Sequence, residues 1–219
     1  SLYDYFYDTN LIIKENLKPE KSYSLDFGLD KSFIENNLSF SLTLFYMVYD
    51  DTISNWASHK SSGSTYTIDN SAGEVKSKGL ELSGSLKTDF VNNIKLGYTF
   101  TDAYDGEDCD DPDTLCIDEM PVRVSRHSIQ TKLSKQFGKL NTHLTGKYRS
   151  RVRDYGNINN DFKQVILDAY SQFNFSANAD YFGYEIFFNV NNILDENYTQ
   201  AYEYSVEGIE FNVGLKRKF

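Results

Sequence analysis

The chain has 219 residues, a net charge of −10, and 17 Tyr and 16 Phe among its side chains. The acidic balance argues against nucleic acid as a partner, because nucleic acid selects a basic face. No apolar run reaches the roughly 18 residues that a membrane-spanning helix needs. Abundant aromatic residues with moderate hydrophobicity are typical of membrane β-barrels, and a soluble β-sandwich is the alternative.

Apolar and polar residues alternate in nine segments, the pattern of strands with one apolar face. The segments begin, in chain order, at Tyr23, Leu38, Leu80, Ile94, Ile129, Leu140, Val165, Tyr184 and Ile209. Their apolar bands are about as long as the roughly 9–11 residues with which a tilted strand crosses a bilayer. The last segment runs to a terminal aromatic, Phe219. We predict an all-β fold, a portion of a transmembrane antiparallel β-barrel with about nine strands.

The connections between these segments alternate in length along the whole chain. Four are tight and polar, at Lys31–Asn37, Asp89–Asn93, Gly138–Lys139 and Asn178–Gly183. Four are long, at Asp51–Ser64, Ala103–Val124, Ser150–Phe162 and Leu194–Glu207. Outer-membrane barrels have short periplasmic turns and long extracellular loops. The alternation therefore predicts which ends of the strands face outward.

The strand count predicts that the barrel is larger than this sequence. Nine is odd, whereas bacterial single-chain barrels have an even number of strands. We therefore expect residues 1–219 to be the C-terminal part of a barrel whose other strands lie upstream.

Four short motifs accompany the strands in a fixed order. They are Asn16-Leu-Lys-Pro-Glu20, Asn70-Ser-Ala-Gly73 with Lys78-Gly-Leu-Glu-Leu82, Met120-Pro-Val-Arg123 with Arg126-His127, and Asn192-Ile-Leu-Asp195-Glu-Asn-Tyr198. We expect structural roles for them. Pro19 favours an extended start to a strand, and Gly73 and Gly79 suit a bulge or bend. Asn192 and Asp195 suit hydrogen bonds to loop backbone, with Tyr198 as an interfacial ring.

In this order the motifs resemble those of the TonB-dependent outer-membrane receptors. The resemblance implies a 22-stranded barrel with an N-terminal plug, of which this chain would hold the last nine strands without the plug. It also implies that energy coupling to TonB takes place through that missing plug. Phe219 resembles the terminal aromatic through which such barrels are recognised by the barrel-assembly machinery. The location implied is the outer membrane, with lipid and lipopolysaccharide as neighbours.

One acidic loop carries both cysteines. Cys109 and Cys116 would pair in an oxidising compartment, although the sequence leaves their state open. Residues 105–113 contain clustered carboxylates, which suit a divalent cation. The spacing does not match a calcium loop, so we favour a solvated external loop and predict no metal site.

A polar stripe follows the predicted strand that begins at Leu140. It comprises Asn141, His143, Thr145, Lys147, Arg149 and Arg151. A basic stripe inside a wide barrel could guide anionic cargo or hold a plug. Only Arg149 and Arg151, near the outer mouth, are candidates for cargo contact.

Enzymatic chemistry finds little support in the sequence. The three histidines, at 59, 127 and 143, lie in unrelated positions, without a nucleophile motif or a pair of metal ligands. We predict no catalytic residue and no cofactor. A barrel hydrolase is the least favoured alternative, and a passive porin-like channel is the other.

The family resemblance implies a function in energy-coupled uptake of a scarce, large nutrient. Ferric siderophore or cobalamin is favoured over haem, because the outer loops lack a convincing axial histidine pair. Long loops on a rigid barrel carry recognition. The aromatic candidates for cargo contact there are Tyr49, Trp56, Tyr104, Tyr155, Tyr202 and Tyr204.

The predicted incompleteness of the barrel is testable. Expressed alone, residues 1–219 should not form a closed barrel in detergent, because the last strand has no first strand against which to close. Gel mobility with and without boiling measures this. A compact species whose mobility shifts on boiling would show that the nine strands close by themselves.

Overall fold

The computed structural model describes residues 11–13, 17–33, 35, 37–60, 63–70, 74–105, 120–159 and 161–217. Only the backbone is described at 11–13, 54–60, 63–69, 105, 161 and 162. Within these ranges the chain forms sixteen strands. No helix in them is long and apolar enough to cross a membrane.

Nine of the strands form one sheet, and the others form three small sheets. The nine are β2 (Lys21–Phe33), β3 (Leu38–Asp50), β6 (Val75–Leu86), β7 (Asn93–Asp105), β8 (His127–Phe137), β9 (Leu140–Arg149), β12 (Tyr170–Tyr181), β13 (Tyr184–Asn191) and β16 (Glu210–Arg217). The small sheets contain β1 (Leu11–Ile13), β4 (Ile53–Lys60), β5 (Gly63–Asn70), β10 (Val152–Ile158), β11 (Asp161–Leu167), β14 (Thr199–Ala201) and β15 (Tyr204–Ser205).

The described residues divide into two compact units. The first comprises the described parts of 1–25, 46–77 and 103–119, and the second comprises those of 26–45, 78–102 and 120–219. In the first unit, β5 pairs antiparallel with β4 and parallel with β1.

Two of the predicted motifs meet in the first unit. The amide of Lys18 donates to Oδ1 of Asn70 at 2.7 Å, and Nδ2 of Asn70 donates back to the carbonyl of Lys18 at 2.9 Å. The carboxylate of Glu20 accepts from the amide of Ile53 at 2.8 Å. The ammonium groups of Lys18 and Lys21 lie 3.3 and 3.0 Å from the carboxylate of Asp51. These contacts confirm a structural role for Lys18, Glu20 and Asn70. Asn16 and Gly73 lie outside the described residues.

Most of the nine-stranded sheet belongs to the second unit, and its strand order is β16-β13-β12-β9-β8-β7-β6-β3-β2. Each strand therefore lies beside its neighbours in sequence within this sheet, as in a meander. The register described for five of these pairs is antiparallel throughout. The nine predicted strands and the all-β fold class are confirmed.

The two faces of this sheet are chemically different. On one face the register places Leu144 between Leu133 and Phe175. On the other it places Thr145 between Lys132 and Asn174, and His143 between Ser134 and Ser176. Apolar side chains remain open to the surroundings on the first face, including Phe211 (63% exposed) and Val213 (79%). The alternation has the form of a wall with lipid on one side and water on the other.

The short turns lie where they were predicted, but two are shorter, because β12 continues to Tyr181 and β2 to Phe33. β8 and β9 are joined by Gly138 and Lys139, and β12 and β13 by Phe182 and Gly183. Phe182 (φ 50°) and Gly183 (φ 80°) both adopt positive φ, the geometry of a two-residue hairpin turn whose twist matches the strands.

Gly79 in β6 is required for space. A Cβ at this position would lie 2.6 Å from the ring Cζ of Phe45, closer than real side chains approach. The predicted bulge or bend at Gly79 stays a prediction, because the register of β6 is not among the described pairings.

The long connections contain strands of their own, and one predicted boundary is wrong. Val165 and Leu167 were expected to open the strand that includes Phe175. They belong instead to β11, which pairs with β10 in a separate hairpin, and the sheet strand begins only at Tyr170. Asp168 and Ala169 separate the two strands. The alternation passes through this interruption in phase, so the sequence pattern did not reveal it.

The two-faced sheet predicts opposite outcomes for one charge placed on neighbouring residues. Phe175→Arg places a guanidinium on the apolar face near the middle of β12, and it should destabilise the membrane-inserted protein by about 2–4 kcal/mol. Ser176→Arg, on the polar face, is the matched control and should cost far less. Urea unfolding of the full-length protein in vesicles measures both. Equal losses would contradict the assignment of the faces.

Candidate functional site

The candidate site lies in the second unit, at the long-loop ends of its strands. The chain leaves β9 at Arg149 and enters the β10–β11 hairpin at Val152. Alternate residues of β10 are buried, so that Val152, Asp154 and Gly156 share the covered side. A carboxylate in such a row needs partners, because burying an unpaired charge is costly.

Asp154 is 2% exposed and binds three donors from three segments of the chain. Its Oδ1 accepts from Nε of Arg123 at 2.9 Å and from the amide of Tyr155 at 2.9 Å. Its Oδ2 accepts from the amide of Tyr202 at 2.8 Å. The carboxylate therefore holds together the turn after Met120, the β10–β11 hairpin and the turn between β14 and β15. We call Arg123, Asp154, Tyr155 and Tyr202 the Asp154 cluster.

Neighbouring contacts reinforce this arrangement. The amide of Arg123, at φ 63°, donates to the carbonyl of Arg153 at 2.8 Å. The guanidinium of Arg153 in turn donates from Nε to the carbonyl of Met120 at 2.7 Å. The ring of Tyr202 lies over Gly156, where a Cβ would be only 2.8 Å from Cγ of the ring. Glycine at 156 therefore allows Tyr202 to pack against the hairpin backbone.

The charge of Asp154 is stabilised locally. Burial acts to raise the pKa of this carboxyl, but the amides of Tyr202 and Tyr155 and the guanidinium of Arg123 outweigh it. The net effect holds the pKa of Asp154 below its usual value. Asp154 is therefore ionised at neutral pH.

A second buried polar residue, Asn192, shapes the long connection that ends at β16. Asn192 is 2% exposed and has φ 51°. Its Oδ1 accepts from the amide of Glu196 at 3.1 Å, and its Nδ2 donates to the carbonyls of Glu196 (3.0 Å) and Glu207 (3.3 Å). Asp195 accepts from the amide of Ile209 at 2.9 Å. The predicted hydrogen bonds of Asn192 and Asp195 to loop backbone are confirmed.

The prediction that Tyr198 presents an interfacial ring is wrong. Tyr198 is 8% exposed and stacks on Tyr170, with ring centroids 3.9 Å apart and planes at 13°. The guanidinium carbon of Arg149 lies 4.9 Å from the centroid of the Tyr170 ring. Arg149 also donates to the carbonyls of Thr199 and Gln200, at 3.3 and 3.4 Å. This stack supports the segment that leads to Tyr202.

The predicted cargo contacts fall in different places. Tyr155 and Tyr202 meet at the Asp154 cluster. Arg149 supports the adjacent segment, and Arg151 is exposed in the link between β9 and β10, beyond the end of the strand that carries the rest of the predicted stripe. The remaining candidates are Tyr49 at the end of β3 (37% exposed), Tyr104 at the end of β7 (38%), Tyr204 in β15 (72%) and Trp56 in β4, whose side chain is not described.

The sequence reasoning missed Asp154 itself. A local sign was present, because Asp154 alternates with its neighbours in the same row as Val152 and Gly156. In a short strand, that row is the one that becomes buried. Its donors Arg123 and Tyr202 are 31 and 48 positions away, which no local pattern shows.

The polar face of the sheet carries a groove of about 720 Å³ in the same unit. Lys95, Lys132 and Lys147 line it together with hydroxyl and amide side chains, and no lining residue is acidic. The groove is therefore suited to anionic groups. Among the residues that the structure describes, no three histidine, cysteine or acidic side chains group as a metal site. Cys109, Cys116 and the loop 106–113 lie outside them.

Comparison with known proteins identifies the architecture. The family described as TonB dependent receptor-like, beta-barrel matches residues 1–193. Comparison with curated protein sequences gives no significant match.

Solved structures share the fold at low sequence identity. The FrpB iron transporter from Neisseria meningitidis (F5-1 variant) superposes with a TM-score of 0.73 at 17% identity, over 95% of this chain and 33% of that chain. The pyoverdine outer membrane receptor FpvA from Pseudomonas aeruginosa PAO1 superposes with a TM-score of 0.70 at 16% identity, over 93% of this chain and 30% of that chain. The copper transporter OprC superposes with a TM-score of 0.70 at 15% identity, over 94% of this chain and 32% of that chain. The chain thus spans about a third of these structures, and at such identity the likeness shows the fold alone.

The Asp154 cluster predicts a defined effect of removing one charge. In the full-length protein, Asp154→Asn should lower the opening free energy of the Tyr155 and Tyr202 amides by about 1–3 kcal/mol, because both lose a charged acceptor. Hydrogen exchange of these amides measures the change. Asp168→Asn, at an exposed aspartate beyond β11, is the matched control and should leave both amides protected.

The pH dependence has a definite sign. Because the pKa of Asp154 is lowered on folding, its contribution is fully present above the ordinary aspartate pKa of 3.8 and is lost as the pH falls through the lower folded value. Protection of the Tyr202 amide, corrected for intrinsic exchange, should therefore hold down to about pH 4 and decrease only below it. A decrease between pH 7 and 5 would show that another group controls the cluster.

Proposed function

We propose that this chain, which belongs to the TonB-dependent receptor family, is the C-terminal barrel portion of a receptor that takes up a scarce, large nutrient. As a member of that family, the chain is part of an outer-membrane β-barrel. Uptake would draw its energy from TonB through a plug encoded upstream of residue 1. The barrel-assembly machinery would recognise the segment that contains β16 and Phe219.

The observation that carries the proposal is the anchored surface at the long-loop end. Recognition loops serve best when a rigid scaffold positions them. Here Asp154 fixes the backbone of both Tyr155 and Tyr202, and glycine at 156 seats the ring of Tyr202. Less conformational freedom is then lost when cargo binds, because the aromatic contacts are already ordered. A passive channel has no need of such an anchored surface.

Local positive charge on the polar side of the sheet and at its long-loop end indicates the class of cargo. Arg149 and Arg151 lie at the long-loop ends, and three lysines line the groove on the polar face. Cations in a confined aqueous space attract anionic solutes. We therefore favour an anionic metal chelate of the ferric-siderophore class. Of the similar structures, FrpB is an iron transporter, FpvA a pyoverdine receptor and OprC a copper transporter. Cobalamin stays the alternative cargo.

The Trp56 and Tyr104 positions belong to the same proposal as candidate contacts in the first unit. Both lie on strands that reach the long connections, β4 and β7. We place them second to Tyr155 and Tyr202, because Asp154 binds the backbone amides of those two residues.

The uptake proposal predicts a conditional growth defect. Deleting the gene in its own organism should impair growth when iron is supplied only as a ferric siderophore, and growth on abundant ferrous iron should be normal. A parallel culture limited for cobalamin separates the two cargo classes. Normal growth under both limitations, in a strain without a compensating receptor, would contradict uptake of either nutrient.

The recognition surface predicts which rings matter for binding. In the full-length receptor, Tyr155→Ala and Tyr202→Ala should each weaken cargo binding by about tenfold, since each removes an aromatic contact to the cargo worth roughly 1–2 kcal/mol. The backbone amides that Asp154 binds are kept in both variants. Phe182→Ala is the control, because Phe182 is an exposed ring (89%) on a short turn at the opposite end of the strands. Equal weakening by Phe182→Ala would show that the effect is not local to the cluster.

A further inference from the structure

The short-turn end of the nine-stranded sheet carries lysines paired with aromatic rings on its apolar face. Nζ of Lys31 lies 5.7 Å from the ring centroid of Phe33, and Nζ of Lys139 lies 5.3 Å from that of Tyr181. Nζ of Lys135 lies 5.6 Å from the centroid of Phe90 and 5.7 Å from that of Phe137. We call these seven residues the basic–aromatic rim.

The rim continues the apolar face toward the short turns. On β8 the apolar row runs through Leu133 to Lys135 and Phe137, and the register places Lys135 opposite Thr142 and Phe137 opposite Leu140. On β2 the row ends in Lys31 and Phe33 after Leu29. Lys139 lies in the turn itself. The ammonium groups therefore stand where the apolar band gives way to water, the position at which lysine extends its charge to a membrane surface.

The rings of the rim are open to their surroundings. Phe90 is 85% exposed, Phe137 59%, Tyr181 54% and Phe33 47%. Aromatic residues at both borders of the apolar band are general in membrane barrels and explain the rings by themselves. They do not explain the three lysines, because a neutral side chain would complete an aromatic border equally well.

The three ammonium groups have no carboxylate partner within 4.0 Å among the residues that the structure describes. Lys135 donates only to a main-chain carbonyl, that of Asp89 at 3.0 Å. At the long-loop side of the same unit, Lys78 and Arg126 do have a carboxylate partner, and they lie 3.4 and 3.5 Å from Asp102. The short-turn border thus presents unneutralised positive charge beside exposed rings.

We propose that the basic–aromatic rim binds the headgroups of anionic phospholipids in the leaflet that meets the short turns. Exposed rings anchor at the headgroup level, and each ammonium there attracts an anionic phosphate. A cation near an anionic membrane surface contributes about fivefold to association, so three lysines set an upper bound of roughly 100-fold. The inference goes beyond nutrient uptake, and it depends only on the placement of the sheet in the outer membrane.

Lipid association of the full-length protein tests the proposal. The protein is reconstituted in phosphatidylcholine vesicles, and the association of spin-labelled phosphatidylglycerol is compared with that of spin-labelled phosphatidylcholine. We expect the wild type to favour phosphatidylglycerol by at least fivefold, and added salt should weaken this preference. The triple variant Lys31→Gln, Lys135→Gln, Lys139→Gln should lose it.

A matched variant separates the effect of the rim from the effect of removing three positive charges elsewhere. Lys95→Gln, Lys132→Gln, Lys147→Gln removes three lysines from the polar face of the same sheet and should keep the preference. Boiling-dependent gel mobility verifies that both variants fold. Three results would overturn the proposal. The first is a wild type without preference for phosphatidylglycerol, and the second is equal loss of that preference in both triple variants. The third is a wild type that associates more strongly with labelled lipopolysaccharide than with labelled phosphatidylglycerol. Cargo binding is measured separately, so that failure of the lipid result leaves the uptake proposal to be judged by itself.

Discussion

Every strand of the main sheet obeys one constraint, which is that backbone amides and carbonyls in lipid must be paired with one another. Antiparallel neighbours satisfy this requirement, and their register then decides which side chains share a face. Leu133, Leu144 and Phe175 form a row across β8, β9 and β12, and Lys132, Thr145 and Asn174 form the row on the opposite face. The apolar face, the cationic groove and the basic–aromatic rim all follow from this pairing. A shift of one residue in register would exchange the faces.

Beyond the sheet, the same requirement is met by side chains. In the long connections, Asp154 and Asn192 accept and donate hydrogen bonds that join distant segments of the chain. Both are almost fully buried, and both are satisfied. The recognition surface that we propose therefore depends on two buried polar residues, while its aromatic rings supply the contacts. Asp154 thus anchors the surface, whereas Tyr155 and Tyr202 would bind the cargo.

The sequence was informative where structure is local. Alternation of apolar and polar residues is a property of each strand, so it predicted nine strands, their faces and the short turns, including Gly138 and Gly183. It failed where burial depends on distant partners. The β10–β11 hairpin continued the alternation in phase, which hid the break before Tyr170. Tyr198 was wrongly expected at an interface. The sequence did not show its burial, because its stacking partner, Tyr170, lies 28 positions earlier. Asp154 was missed for the same reason, since its donors come from segments that only the fold brings together.

The main sheet separates lipid from water, and the accessibility of single cysteines on its two faces measures this separation. In the full-length protein with Cys109 and Cys116 replaced, single cysteines are introduced at Leu144, Thr145, Asn174 and Phe175. A membrane-impermeant thiol reagent, admitted to both sides of the vesicles, should label positions 145 and 174. A lipid-soluble reagent should label positions 144 and 175. Reaction of all four positions with the impermeant reagent would contradict the account, because neither face would then be covered by lipid.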